Sequence, residues 1–361
     1  MTALIRAVVE TAALRHNLAV VRRQAPRSRV LAVVKANAYG HGSVVAAKAL
    51  ADADAFAVAR LEEGIQLREA GLAHPVLLLE GVFSADQLAA AARHGFEIVV
   101  HSAAQLSLLQ AWRGTHRFRV WIKLDTGMHR LGFSLNDFPA AYAALRACAA
   151  VAGEPVLMTH LANADVADDA MTTAQLGSFS RAVMGLPGER SIANTAGVFG
   201  WAESQGDTGD WVRPGLALYG ASPFADRSAA ALGLRPAMTL LSQVIAVKQV
   251  PVGGSVGYGA AWYATRATTL AVVAAGYADG YPRNTAAGCP VLVNGREARV
   301  VGRVSMDMLT VDVTDHAVVA AGDPVVLWGE GVPVETVANA AGTIAWELLC
   351  GVSQWVAPDP R

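Results

Sequence analysis

The chain has 361 residues with a formal net charge of −1, and only 16% of its residues are charged against 53% hydrophobic. This balance excludes a disordered or strongly basic chain, and with it nucleic acid as a partner. No apolar run approaches the ~20 residues that a membrane span needs, and Arg6 and Glu10 interrupt any secretion signal at the start. Cys148, Cys289 and Cys350 are far apart and match no metal-ligand spacing, which reads as reduced thiols in a cytosolic protein. The length suits one large and one smaller domain.

Residues 3–10 alternate like a strand, and Thr11 is placed to cap a helix over residues 12–24. A rhythm of short apolar run, loop and amphipathic run then begins. Strands are expected at 30–34, 55–59, 76–79, 97–100, 118–123, 155–159, 191–193 and 210–213. Helical stretches lie between them at 42–50, 62–70, 85–94, 138–151 and 171–183, with Ser84 capping the third. Eight strands alternating with helices give the count of a (β/α)₈ TIM-type barrel; a doubly wound open sheet is the alternative. The strand count and the lack of a GxGxxG turn after the first strand favour the barrel, assigned to residues 1–232.

After about residue 232 helical periodicity fades. Short Val- and Thr-rich runs appear at 240–250, 268–274, 290–293, 298–304, 308–313 and 324–328. Asn294-Gly295 between two of them is a type I′ hairpin signal. Residues 233–361 therefore read as a mostly antiparallel β domain, which the strand over 3–10 is free to join.

Lys35 ends the apolar run Leu31–Val34 and opens K-A-N-A-Y-G-H-G, which contains Tyr39. A lysine delivered by a buried strand is either a nucleophile or Schiff-base former with a lowered pKa, or a side chain that snorkels to water. In a barrel the C-terminal strand ends carry the chemistry. Lys35, Arg130, His160 and Asn194 all follow candidate strands, and that convergence speaks against snorkelling. His160 alone reads as a satisfied hydrogen-bond partner, and Arg130 as a solvated charge. Asn194-Thr195 and Arg213-Pro214-Gly215-Leu216 offer donors suited to a phosphate. In the β domain, Val256-Gly-Tyr258, Gly276-Tyr277-Ala-Asp-Gly-Tyr281 and Ser305-Met306-Asp307 set polar groups among glycine turns. Singly, those tyrosines read as ordinary turn residues.

Together the motifs resemble the alanine racemases, pyridoxal 5′-phosphate (PLP) enzymes built from a barrel and a β domain. The resemblance runs from the first residues to about Cys350, with K-A-N-A-Y-G-H-G, R-L-G-F, T-H-L-A-N-A-D, R-P-G, Y-G-A, G-Y-A-D-G and S-M-D in the family's order. It implies that Lys35 holds PLP through its amine and handles the D-enantiomer's proton, while Tyr258 handles the L-enantiomer's from the opposite face. His160 then hydrogen-bonds that tyrosine. Arg213 faces the pyridine nitrogen, where it disfavours protonation and with it transamination. Tyr39, Thr195, Gly215 and Leu216 serve the phosphate, with Asn194 beside them. Arg130 grips the substrate carboxylate or the cofactor's phenolic oxygen, and Met306 lines the substrate site through its backbone amide. Lys123 occupies a position carbamylated in some members, where it braces the arginine; Tyr277 and Asp307 support the site. Tyr258 and Met306 come from the other subunit, so a homodimer with shared active sites is implied.

The tail departs from the family pattern. An R-V-P-R-like segment with a phosphate-binding tyrosine is missing; either Gln354 or Trp355 stands in or the phosphate is bound more loosely, and the contact is assigned to no residue. Tyr263, Tyr277 and Tyr281 are expected to crowd the entrance and favour a substrate as small as alanine. The rivals are a PLP-dependent racemase of another small amino acid such as serine, a lyase on the same scaffold, a non-catalytic PLP carrier, and a Schiff-base aldolase. The carrier lacks a β domain, and the aldolase would bind no PLP.

Overall fold

The computed structural model describes residues 4–353, 356 and 358–361. Gln354 and Trp355, one of the two alternatives for the missing tyrosine, lie outside the described residues. The chain opens with β1 (Arg6–Val9) and the helix Thr11–Gln24. Eight strands then close a parallel barrel: β2 (Arg29–Val33), β3 (Ala55–Val58), β4 (Val76–Leu78), β5 (Glu97–Val100), β6 (Val120–Lys123), β7 (Val156–Met158), β8 (Arg190–Ser191) and β9 (Trp211–Val212). Each neighbour pair is parallel, and β2 pairs β9 to complete the ring. Residues such as Leu31, Phe56, Trp121 and Ile122 have no exposed surface, as strands buried on both faces require.

The remaining strands are β10 (Met238–Val250), β11 (Ser255–Val256), β12 (Trp262–Tyr263), β13 (Thr268–Val273), β14 (Pro290–Val293), β15 (Arg296–Val301), β16 (Leu309–Asp312), β17 (Pro324–Trp328) and β18 (Pro358–Pro360). The sheet runs β13-β16-β15-β14-β17-β10-β1-β18, and β10 also pairs β13. A register shift between Val244 and Ala246 bends β10, so its first half pairs β1 and β17 and its second half β13. The strand nearest the N-terminus thus lies in the β domain's sheet, antiparallel to β10. Asn294 (φ 53°) and Gly295 (φ 76°) form the expected I′ turn between β14 and β15. One continuous apolar core runs from the barrel into this sheet.

Three expectations are corrected. Thr11 is the first helical residue rather than the cap: Glu10 precedes the helix without a side-chain cap, and the Thr11 hydroxyl donates to the Arg361 carbonyl at 2.6 Å. The helix expected over 138–151 ends at Arg146, where the chain turns towards β7. Tyr281 is no gate residue: it is wholly buried, stacked on Trp328, with its hydroxyl 3.7 Å from Cys289 Sγ. Ser84 does cap its helix, accepting from the Gln87 amide at 3.2 Å. Among the described residues no helix is long and apolar enough to cross a membrane, and the cysteines are free thiols.

Candidate active site at the barrel mouth

Lys35 follows β2 directly and sits half-buried at the C-terminal end of the barrel. The chain then makes a left-handed turn. Ala36, Asn37, Ala38 and Tyr39 all have φ of 52–53°. Such a conformation costs roughly 1–2 kcal/mol per non-glycine residue, so the surroundings must impose it. They do so through polar contacts. Ser43 N–H donates to Asn37 Oδ1 at 3.0 Å, and His41 Nδ1 reaches the Tyr39 carbonyl at 2.9 Å. The Glu63 carboxylate accepts from Ala36 N–H at 2.6 Å. Gly40 has no room for a side chain, because the Leu349 carbonyl presses against it from the helix Ala345–Cys350.

Tyr39 ends this turn, stacked on Tyr219 at 4.8 Å between ring centroids. Its hydroxyl lies so close to Gly215 that a Cβ there would come within 2.5 Å of it. The Gly215 amide donates to Thr195 Oγ1 at 3.0 Å, and Ala217 N–H reaches the same atom at 3.4 Å. With both amides pointing at its lone pairs, the Thr195 hydroxyl keeps its proton for another acceptor. Tyr39, Thr195, Gly215 and Leu216 thus meet in one concavity. Asn194 caps the short helix Thr195–Gly200: its side chain accepts from Gly197 N–H and donates to the Leu161 carbonyl. Its amide group is therefore spent on structure.

Arg213, just beyond β9, is almost wholly buried. It donates to Ser191 Oγ and the Thr159 carbonyl at 2.6 Å, to the Ile192 carbonyl at 3.1 Å and to His160 Nδ1 at 3.3 Å. None of these partners is a carboxylate. Burial pulls its pKa to about 9, so it stays charged at neutral pH. An arginine can only donate, so Nδ1 of His160 must accept, and the ring proton sits on Nε2. Burial and the cations Arg213, Lys123 and Arg130 push the His160 pKa well down and keep it neutral.

Lys123 closes β6 with little exposed surface, and burial, Arg130 and Arg213 lower its pKa to about 8. Burial and Arg130 lower that of Lys35 too, against the opposing charges of Glu80 and Glu63. Arg130 itself is exposed on the loop after β6. The mouth is therefore a ring of cations. Two clefts elsewhere, of about 640 Å³ beside Arg266 and Arg299 and about 500 Å³ beside Arg146, have these charges neutralised by Asp315, Glu297 and Glu154.

In the β domain Tyr258 is 68% exposed on a short 3₁₀ turn, and Met306 is 54% exposed. Tyr277 N–H donates to the Ser305 carbonyl at 3.1 Å, and Ala278 N–H to the Met306 carbonyl at 2.9 Å. Gly257 backs onto the Arg303 backbone. These approaches bring Tyr258, Tyr277, Met306 and exposed Asp307 onto one rim.

The family models "Alanine racemase, N-terminal domain" and "Alanine racemase, C-terminal domain" match residues 9–223 and 237–358. The chain belongs to the alanine racemase family. It is 49% identical over 352 residues to an alanine racemase of Shewanella baltica, covering 98% of each chain. To one of Nitrosococcus oceani it is 51% identical over 349 residues, covering 96% of this chain and 97% of the relative. The biosynthetic alanine racemase of Pseudomonas aeruginosa superposes over 100% of both chains with a TM-score of 0.95 and 46% identity. The alanine racemase of Acinetobacter baumannii gives 0.93 and 39%, again over 100% of both chains.

Seen as a member of this family, the chain holds site residues that sequence reasoning passed over. Ser191 anchors Arg213, and Tyr219 backs Tyr39 while its hydroxyl donates to the Val33 carbonyl at 2.8 Å. Tyr219 lies in the Y-G-A motif, where its spacing after Arg213 was the available signal. Ser191 carried none.

Proposed function

We propose that the protein interconverts L-alanine and D-alanine with PLP as cofactor, as a cytoplasmic homodimer with shared active sites. The observation that carries this is the cluster of cations at the barrel mouth, none in an ion pair with a carboxylate among the described residues: Lys35, Lys123, Arg130 and a buried Arg213 bonded only to neutral groups. The donor set fits the cofactor. Beside Gly215, where a Cβ would strike the Tyr39 hydroxyl, the Tyr39 and Thr195 hydroxyls are the donors for a phosphate, the Gly215 and Ala217 amides holding Thr195 in place. When bound, PLP supplies a carbonyl that captures the substrate amine and a conjugated ring that draws electrons from Cα.

The chain's own residues do the rest. Lys35 Nζ holds the cofactor and then, with its pKa lowered by burial, serves as the base that moves the Cα proton of D-alanine. Tyr258 Oη moves the Cα proton of L-alanine from the opposite face. Its exposure in the single chain supports a part in the partner's mouth rather than in its own. His160, neutral and with its proton on Nε2, presents that donor to the Tyr258 oxygen and orients it. Arg213 donates to the ring nitrogen and keeps it unprotonated, which weakens electron withdrawal and favours return of the proton to Cα. Arg130 holds the substrate carboxylate, and the Met306 amide supports it. Lys123, with its amine near pKa 8 between two arginines, suits carbamylation, which would add a negative charge where Arg130 and Arg213 converge.

The exposed Tyr263 and Tyr277 narrow the approach and favour a substrate as small as alanine. The test is to incubate the PLP-loaded protein with L-alanine in deuterated water and follow Cα exchange and D-alanine. D-alanine with deuterium at Cα is expected; PLP-loaded dimer that yields none would overturn the proposal.

A further inference from the structure

We propose that Glu63 is a positioning residue for Lys35: its carboxylate ties the amide that follows the lysine to the start of the neighbouring helix, and so fixes the left-handed turn that carries Lys35. In sequence Glu63 is unremarked, the third residue of the helix Leu61–Glu69, where a glutamate commonly folds back on the helix start. The structure gives it more to do. Oε2 accepts from Ala59 N–H at 2.8 Å and from Arg60 N–H at 3.1 Å, as a capping residue would. Oε1 turns the other way and accepts from Ala36 N–H at 2.6 Å. One carboxylate therefore joins the C-terminal ends of the adjacent strands β2 and β3.

The geometry asks for two accepting oxygens. Ala36 N–H lies at the exposed start of the turn with Glu63 as its partner; without that carboxylate the amide turns to water and one of the ties that hold the left-handed backbone is lost. Both Glu63 oxygens accept, in opposite directions. An amide side chain has one accepting end only, so glutamine would turn an N–H₂ group towards either Ala36 or Ala59 and Arg60. Aspartate keeps both acceptors but has a shorter reach. The negative charge also supports the protonated form of Lys35 against burial and Arg130. Glu62, exposed and adjacent, provides a control with the same charge on the same helix.

This inference rests on the reading of Lys35 as the reacting amine, and the wild-type arm tests that reading separately. The experiment compares wild-type holoenzyme with Glu63→Gln, Glu63→Asp and Glu62→Gln. It measures amide hydrogen exchange by peptide, kcat and KM for L-alanine, and, after PLP removal, the pH dependence of acetic anhydride labelling at Lys35. In Glu63→Gln, exchange in the peptide covering 36–42 is expected to rise about tenfold. kcat is expected to fall by a similar factor with KM little changed, and the labelling midpoint to move to lower pH. Glu63→Asp should recover part of the loss, and Glu62→Gln should behave as wild type. Unchanged exchange and kcat in Glu63→Gln would overturn the proposal, as would exchange raised evenly across the barrel. A wild-type holoenzyme that does not racemise alanine would instead remove the reading on which it rests.

Discussion

The two ends of the barrel treat charge in opposite ways. At the N-terminal end of the strands, Arg29 and Arg119 both pair with Glu189, and Arg119 also approaches Glu97. Trp121 and Trp211 donate their indole N–H groups to Glu97 and Glu189 at 2.7 Å, and Arg29 lies 4.2 Å over the Trp211 ring. Every charge there has a partner within the chain. At the C-terminal end, Lys35, Lys123 and Arg213 are packed without a carboxylate in ion-pair contact; burial lowers the proton affinity of all three, and Arg130 lowers that of both lysines. Buried charge is tolerated only when compensated. The lower end is compensated by its own fold and is built for stability. The upper end is left for anionic groups to complete, as the proposed cofactor phosphate and substrate carboxylate would.

The sharpest test of that division is to remove the group that the mouth borrows. Tyr258→Phe deletes the hydroxyl proposed above as the second acid–base group without touching the barrel, and kcat for racemisation should fall about 10²–10⁴-fold. Lys35 remains, so D-alanine in deuterated water should still exchange its Cα proton while L-alanine exchanges far less. Equal residual exchange of both enantiomers would break the assignment of faces. A slightly smaller loss is expected from Arg213→Glu, about 10²–10³-fold in racemisation. The carboxylate would favour a protonated ring nitrogen, so half-transamination should rise relative to racemisation. An unchanged ratio would show that Arg213 does not set the outcome.

Lys123 measures the cost of leaving the mouth uncompensated. Its pKa falls from 10.5 to about 8, so the folded chain disfavours its charged form. Below about pH 8 both folded and unfolded states carry the proton, and the penalty is complete. Between about pH 8 and 10.5 the unfolded state binds more protons, so stability rises with pH and the penalty fades. In the cofactor-free protein, Lys123→Met should therefore be more stable than wild type at pH 7, by about 3 kcal/mol on the size of that shift. The gap should close as the pH approaches 10.5. Thermal melts across that range check it, and a gap independent of pH would mean that packing rather than charge is responsible.

How far the sequence foretold these regions depends on the range of the forces involved. The barrel strands were legible because burial on both faces leaves an unbroken apolar run, as in Leu31–Val34 and Val120–Ile122. The Asn294-Gly295 turn was legible because its backbone demand is met by those two residues alone. The left-handed turn at Ala36–Tyr39 was not. Only Asn37 in Ala-Asn-Ala-Tyr adopts positive φ readily, and the remaining cause lies in the nearby His41 and in the distant Glu63 and Leu349 carbonyl. Lys35, Arg130, His160 and Asn194 were placed just after barrel strands because strand ends can be counted. Tyr281 was misplaced because its hydroxyl suggested exposure, while Trp328 and Cys289 supply it with a buried niche. The pairing at the foot of the barrel went unread, since Glu97, Arg119 and Glu189 are remote in sequence and meet only when the ring closes.

That foot supplies the smallest expected effect and the cleanest control on the comparison. Burial acts to raise the Glu189 pKa, but the hydrogen bonds from Arg29 and Trp211 and the charge of Arg119 outweigh it and hold the value below 4.5. Its folded pKa is depressed, so its contribution is present above the unfolded value and is lost as the pH falls through the folded one. Glu97 works the other way: burial raises its pKa despite the Trp121 hydrogen bond and Arg119, so its ionised form is the less favoured. Glu189→Gln should therefore lower stability at pH 7 by about 1–2 kcal/mol, a few degrees in Tm for a chain of this size. The difference from wild type should shrink as the pH is taken below 4.5. Racemisation should be unaffected, because no group at the mouth depends on this pairing. If Glu189→Gln instead changed kcat while leaving Tm intact, the two ends would not be the separate devices that their charges describe.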